Sequence, residues 1–420
     1  MTEKTGHAAD IARVASGNFL EMYDFMVFGY YATNIAHVFF PAGSEFLSLM
    51  LTLMSFGAGF LMRPFGAIAL GAYTDHHGRK KGLLLTLSLM AVGTVTLACT
   101  PSYASIGLLA PILVVLGRLV QGFSAGAELG TVSVYLSEIA PPGRKGVFVA
   151  WQSASQQVAV VTAALLGLAL NHLLSQQAMN DWGWRVPLLL GCALVPLLYV
   201  FRRHMTESEA FLSQPRRLEI HELLRRMAAS WPVILAGMLM VAMTTVSFYL
   251  LTAYTPTFGK VELHLSAQDS FLVMLAIGIS NFCWLFVAGA LSDRIGRRIP
   301  LVVAAVLTLV TAYPVMLWLV AAPSFLRLLI AGLWLSALYG SYNGAMVPYL
   351  TEVVPGEVRA SGFSIAYSLA TALLGGFTPA ISTWLIHVTG DRAIPGAWMG
   401  AAGLMGIIGW LLIVRILKPR

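Results

Sequence analysis

The chain has 420 residues, of which 58% are hydrophobic and only 11% charged, with a mean hydropathy of +0.77. A soluble domain carries about 25% charged residues, so most of this chain belongs in lipid and what remains cannot make a soluble catalytic domain. The net charge of +7 does not point to nucleic acid, because the basic residues are spread over short loops between apolar runs rather than gathered on one face.

In chain order, the N-terminus is polar up to Asp10. The first apolar segment then carries Glu21 and Asp24 with no small-residue cleavage site, which is not the pattern of a removable signal peptide. Apolar runs of about 20 residues can cross a bilayer as helix. They fall at approximately 16–39, 47–74, 82–100, 106–135, 147–170 and 184–201, then 232–258, 269–291, 299–320, 325–350, 361–386 and 396–416. The longest polar stretch, Arg202 to Ser230, separates the sixth from the seventh. The expected organisation is an N-terminal six-helix bundle over 1–201, a linker over 202–230 and a C-terminal six-helix bundle over 231–420. The linker can form an amphipathic surface helix such as Ile220 to Met227 and reads as a solvated connector, with a regulatory role as the alternative. Cys99, Cys192 and Cys283 lie in separate apolar segments, read as small core residues, and suggest neither a disulfide framework nor a metal site.

Basic residues are distributed unequally. Of 26 Lys and Arg, 20 fall on one side of the spans, and Arg185, Lys260, Arg327 and Arg392 fall on the other; Arg63 and Arg118 lie within spans. By the positive-inside rule both termini and the linker are cytoplasmic.

The hinge between the second and third spans reads Gly71-Ala72-Tyr73-Thr74-Asp75-His76-His77-Gly78-Arg79-Lys80-Lys81. It recurs as Gly289-Ala290-Leu291-Ser292-Asp293-Arg294-Ile295-Gly296-Arg297-Arg298, and Asp75 with Asp293, like Gly78 with Gly296, lie 218 positions apart. Tyr135-Leu136-Ser137-Glu138 likewise recurs as Tyr349-Leu350-Thr351-Glu352 at an offset of 214. Two matches at nearly one spacing make the chain two copies of one unit. The hinge resembles the signature loop of the major facilitator superfamily. The second copy fits fully, whereas the first has His76 where the family usually carries Arg. The resemblance implies an all-α membrane protein of twelve transmembrane helices in two six-helix repeats.

An ionisable group in hydrocarbon costs several kcal/mol unless paired or hydrated. Glu21, Asp24, Arg63, Arg118 and Glu128 therefore each call for a partner or a function. Glu21 and Asp24 are three apart and share a helix face with Asn18. Counted from the nearer ends of their spans, Asp24 and Arg63 lie about 12 and 18 Å deep and can meet. Either they form a fixed ion pair, or Asp24 or Glu21 exchanges a proton as its arginine is borrowed by an anionic substrate. Arg118, beside Gln121, lies about 18 Å into span four, near the midplane where transporters built from repeats place their site. Its fork of donors suits a carboxylate. Glu128 is ten residues on, about 15 Å along the helix, too far to pair with Arg118 within it.

In span five, Gln152 and Gln156 share a face and offer amides to a cavity, or simply glue helices together. The second half contributes neutral candidates, Tyr249, Asn281, Tyr342 and Asn343. The hinges read as gates: Asp75 with Arg79, and Asp293 with Arg297, can cap a helix or pair across the repeats in one state only, with Glu138 and Glu352 in the same layer. Enforcement of topology by the basic cluster is the plainer alternative.

No enzyme motif is present: no phosphate loop, no nucleophile elbow, no zinc helix. No cofactor or metal is expected. Gly17 to Phe25 resembles the first-helix signature of the metabolite:proton symporters, which Arg63-Pro64 also matches. More narrowly, Trp151 to Gln157, Tyr342 to Ala345 and Thr378 to Thr383 resemble the bacterial citrate and tricarballylate symporters. This implies proton-coupled uptake of a tricarboxylate by alternating access in the bacterial inner membrane, with the tricarboxylate, protons and membrane lipid as partners and the chain a monomer. Symport of a dicarboxylate, a betaine or another organic acid is the alternative, and a transport-dead membrane sensor the reading from another class.

Overall fold

The computed structural model describes residues 2–77, 79–126, 128–203, 225, 227–354 and 359–416. Most of the linker, including the start of the surface helix considered from Ile220, lies outside the described residues. So do the side chains of Asp75, Arg79 and Glu128.

Among the described residues there are helices and no strands. The twelve spans form as α1 (Thr2–Tyr30, continued by Ala32–Phe39), α2 (Glu45–Leu61 and Arg63–His77), α3 (Arg79–Cys99), α4 (Leu109–Ala125 and Glu128–Glu138), α5 (Lys145–Leu173) and α6 (Arg185–Arg203). The second half follows as α7 (Trp231–Tyr249, Leu250–Tyr254 and Thr255–Val261), α8 (Ala267–Ile295), α9 (Arg298–Ala321), α10 (Phe325–Val353), α11 (Arg359–Ala370, Thr371–Gly375 and Thr378–Thr389) and α12 (Ile394–Ile416). Eight are long and apolar enough to cross a membrane by length and composition alone, and α3, α4 and α6 hold shorter apolar helices. The apolar run of α1 is interrupted by Asn18, Glu21 and Asp24.

Local chemistry explains the breaks. Pro64, Pro256 and Pro379 each stand at the second residue of a helical piece, where a missing N–H costs nothing. Inside one continuous helix each would remove a hydrogen bond, so α2 turns at Met62 and α7 and α11 widen into π turns just before their prolines. Ser44 caps α2 by accepting from the Leu47 amide at 3.2 Å, and Ser266, 222 positions on, caps α8 through the Asp269 amide at 3.0 Å. The repeat thus extends from the hinges to the opposite helix ends. At the second hinge, Gly296 closes α8 with φ 88°, a conformation that disfavours any residue with a Cβ.

The outer surface of the bundle is apolar: Phe65, Leu108, Leu173, Leu197, Val310 and Val388 are all more than 60% exposed. So many exposed large apolar side chains make a lipid-facing surface. Cys99 and Cys283 are exposed on it rather than packed in the core, because each falls on an outward helix face.

The two halves meet at three levels. On the face carrying the hinges, Asp293 of α8 accepts from the Gly146 and Val147 amides at 2.9 and 3.4 Å, capping α5 of the other half. The backbones there approach so closely that a Cβ on Gly146 or Gly289 would strike the other strand of chain. At mid-level Tyr249 packs edge-on against Phe56 and Phe60 of α2, centroids 5.9 and 5.0 Å apart. On the opposite face Phe271 of α8 fills the notch at Gly167 and packs beside Tyr30 and Tyr31, with Phe46 stacked on His387 at 3.8 Å. The described residues of the two halves are therefore in contact at both ends and in the middle.

Candidate functional site

The buried charges lie where α1, α2, α3 and α4 converge, covered by α7. Glu21 takes Arg63: Arg63 Nη2 donates to Glu21 Oε1 at 2.5 Å, with both side chains almost wholly buried. The expected Arg63–Asp24 pair is therefore corrected to Arg63–Glu21. The reason is register. Helix α1 starts at Thr2, well before the sixteenth residue, so depth is better counted from the opposite face. Glu21 precedes Phe39 by 18 residues and Arg63 follows Glu45 by 18, placing both about 27 Å from that face.

Asp24, one turn along, bonds elsewhere. Its Oδ2 accepts from the hydroxyl of Thr94 on α3 and from Gln121 Nε2 at 3.5 Å. Gln121 Nε2 also donates to Thr94 Oγ1 at 3.1 Å, and Gln121 Oε1 accepts from Arg118 Nη1 at 2.9 Å. Asp24 and Arg118 are thus joined through one amide, within electrostatic reach of each other.

Arg118 is fully buried in an aromatic box, its guanidinium carbon 4.2, 4.6 and 5.2 Å from the ring centres of Phe25, Phe28 and Phe56. Arg63 likewise lies 5.2 and 4.7 Å from Phe25 and Phe60. A desolvated cation–π contact contributes about 2 kcal/mol, so three rings go far toward offsetting the several kcal/mol of burying a charge. They leave Nε and Nη2 of Arg118 without hydrogen-bond acceptors among the described residues, however. An unmet buried donor costs about 1–3 kcal/mol. The arginine is stably housed and still short of an anion.

The polar residues of α5 and the second half divide into two groups. Asn18 Nδ2 donates to the Gln152 carbonyl at 2.6 Å and to Ser155 Oγ at 2.8 Å, and Gln156 Nε2 donates to Asn18 Oδ1 at 3.2 Å, tying α1 to α5. Tyr342 donates to the Met240 carbonyl at 2.9 Å, tying α10 to α7. Across the halves, Asn281 Nδ2 donates to Gln157 Oε1 at 3.1 Å, and Asn343 Nδ2 to Ser153 Oγ at 2.9 Å. Tyr249 lies against the two phenylalanines that cover the arginines. In the hinge layer Arg297 donates to Asp293 at 2.6 Å and to Glu352 at 3.1 Å, while Glu138 is exposed.

A family model for the Major Facilitator Superfamily matches residues 14–321. The chain belongs to this superfamily. Among its relatives in the superfamily, the citrate-proton symporter of Klebsiella pneumoniae is 58% identical over 405 residues, 96% of this chain and 91% of the relative. The citrate-proton symporter of Salmonella typhi is 56% identical over 416 residues, covering 99% and 96%. The fold matches the xylose transporter XylE from E. coli in a partially occluded inward open conformation, with a TM-score of 0.77 at 16% identity over 97% of both chains. The chain is thus a multi-pass membrane protein of a transporter superfamily, and its solved neighbour shares the fold.

Sequence reasoning missed Thr94, Ser153 and the phenylalanine box. Phe25 adjoining Asp24, and Phe56 and Phe60 one turn apart just before Arg63, were available signals. In an apolar helix, though, they look no different from lipid-facing phenylalanines. Among the described residues no cluster suited to a metal ion is found.

Proposed function

We propose that the chain is a proton-coupled symporter that imports a tricarboxylate, citrate foremost, by alternating access of its two halves, and is not an enzyme. The observation that carries this is Arg118: buried, boxed by aromatic rings, lacking acceptors at Nε and Nη2, and linked through Gln121 to a buried carboxylate. The near full-length relatives named as citrate-proton symporters support the substrate. Arg118 and Arg63 take carboxylates, with Gln121 and Tyr249 beside them; Gln152 and Asn343 face the part of the substrate that the arginines do not hold, and Asn18, Gln156, Asn281 and Tyr342 hold the helices around it. A tricarboxylate carries about three negative charges near neutral pH, more than two arginines neutralise, so co-transported protons contribute to the balance.

The geometry suggests how coupling works. While Asp24 is ionised it compensates the charge of Arg118. Protonated, it leaves the guanidinium free to attract the anion, so proton and substrate load together. Glu21 plays the same part toward Arg63, and Glu128 stands as a further carboxylate of α4. The hinge layer, with Asp293, Arg297 and Glu352 and by repetition Asp75, Arg79 and Glu138, closes the hinge face. By the positive-inside rule this face, both termini and the linker over 202–230 are cytoplasmic, and the protein works as a monomer in the bacterial inner membrane.

The test is uptake of labelled citrate into proteoliposomes with an inward proton gradient imposed or collapsed. Accumulation that vanishes with the gradient supports the proposal. No accumulation of citrate or of tricarballylate under either condition refutes it.

A further inference from the structure

Two carboxamides on opposite halves share one hydroxyl. Asn343 Nδ2 of α10 donates to Ser153 Oγ at 2.9 Å, and Ser153 Oγ donates to Gln152 Oε1 of α5 at 2.8 Å. The remaining amide atoms, Gln152 Nε2 and Asn343 Oδ1, are buried without a partner among the described residues, on residues only 1% exposed.

This pattern is chemically constrained. The hydroxyl has one hydrogen, so it donates to one amide and accepts from the other. Turning both carboxamides over exchanges their roles but still leaves one unmet donor and one unmet acceptor. The position is also constrained. Asn18 holds the Gln152 carbonyl at 2.6 Å and stands three residues from Glu21 on α1, so the amide pair lies about 4.5 Å further toward the hinge face than the Glu21–Arg63 level. It thus sits one helical turn of α1 from the Glu21–Arg63 level, on the α5 and α10 side.

An ionised carboxylate only accepts hydrogen bonds, so it satisfies at most half of this pair. A hydroxyl both donates and accepts. We infer that Gln152 and Asn343 read the hydroxyl group of the substrate, which makes the site selective for a hydroxy-tricarboxylate over its deoxy analogue. Citrate carries that hydroxyl and tricarballylate does not. The inference rests on the proposed function above, which by itself accommodates either acid. Because the pair bridges the halves, the hydroxyl is gripped from both sides only when the cavity is occluded.

The test is uptake of labelled citrate into proteoliposomes of the full-length protein, with unlabelled tricarballylate as competitor, for the wild type, Asn343→Leu and Gln152→Leu. A site built around a substrate hydroxyl penalises its loss strongly. The wild type is expected to favour citrate by about tenfold or more. In either variant the apparent KM for citrate rises by about that factor while inhibition by tricarballylate changes little, so the preference collapses. Retained inhibition by tricarballylate also shows that a variant is folded, and the two substitutions lie in different halves should one fail to fold. A wild type that does not discriminate, or variants in which both acids weaken in parallel, would overturn the inference and leave the pair a tie between helices. A wild type that transports neither acid would refute the proposed function, and this inference with it.

Discussion

Ser137 and Thr351, which hold the same place in the two repeats, meet across the halves with their hydroxyl oxygens 3.5 Å apart. The pseudo-two-fold axis passes between them. Beside them Asp293 caps α5 of the opposite half at Gly146, so this layer has to separate whenever the cavity opens to the hinge face.

A disulfide across that axis should lock it. In the double variant Ser137→Cys with Thr351→Cys the side chains start close enough to bridge with a small shift. Citrate uptake is expected to fall to background on oxidation and to return on reduction, with the single variants insensitive to oxidant. Uptake that continues with the bridge demonstrably formed would mean that this layer does not part during transport.

Glu21 and Arg63 make a second prediction. Removing one partner of a buried ion pair leaves an isolated charge and costs about 3–5 kcal/mol, whereas replacing both with neutral groups is often nearly neutral. Glu21→Gln should therefore lower the melting temperature in detergent sharply, and Glu21→Gln with Arg63→Gln should regain much of it. The recovered double variant should remain inactive, since an arginine of the proposed site is gone. A double variant that is stable and transports at the wild-type rate would reduce the pair to a structural tie.

Arg118 allows a cleaner separation of binding from folding. Among the described residues no carboxylate is directly bonded to it, and its charge rests on phenylalanine rings and one amide. Arg118→Ala should thus fold, while losing about 2–5 kcal/mol of substrate interaction, a drop in affinity of roughly 30-fold or more. Arg118→Lys keeps the charge but not the planar fork and should recover little. Wild-type affinity in Arg118→Ala, measured by the heat of citrate binding, would exclude this residue from the site.

These residues show how far sequence carries and where it stops. The duplicated hinge, the twelve spans and the buried positions of Glu21, Asp24, Arg63 and Arg118 follow from composition and repetition. Which carboxylate meets which arginine does not, because three residues of register along α1 separate Glu21 from Asp24 and the helix begins earlier than its apolar run. The phenylalanine box is invisible for a related reason. Phe25, Phe28, Phe56 and Phe60 belong to apolar helices on two spans, and only their tertiary convergence turns them from lipid-compatible residues into a lining for cations. Ser153 was likewise one polar residue in a polar stretch until the structure brought Asn343 to it from the opposite repeat.

Asp24 carries the last prediction. Its carboxylate is held by Thr94 and Gln121, and Gln121 passes the contact on to Arg118. Asn is close in shape to the protonated acid, so Asp24→Asn imitates the proton-loaded state permanently. Substrate can then bind and cross, but no proton has to travel with it. Exchange of labelled external citrate for unlabelled internal citrate should persist within a few-fold of wild type. Accumulation driven by a proton gradient should disappear, and the dependence of binding on pH should flatten. The sign follows from the charge: in the wild type, lowering the pH neutralises Asp24 and releases Arg118, so binding strengthens toward acid, whereas the variant is already released at every pH. An Asp24→Asn protein that still concentrates citrate against its gradient would move the coupling step away from this carboxylate, to Glu21 or Glu128. Loss of exchange along with accumulation would instead place Asp24 in the binding of substrate.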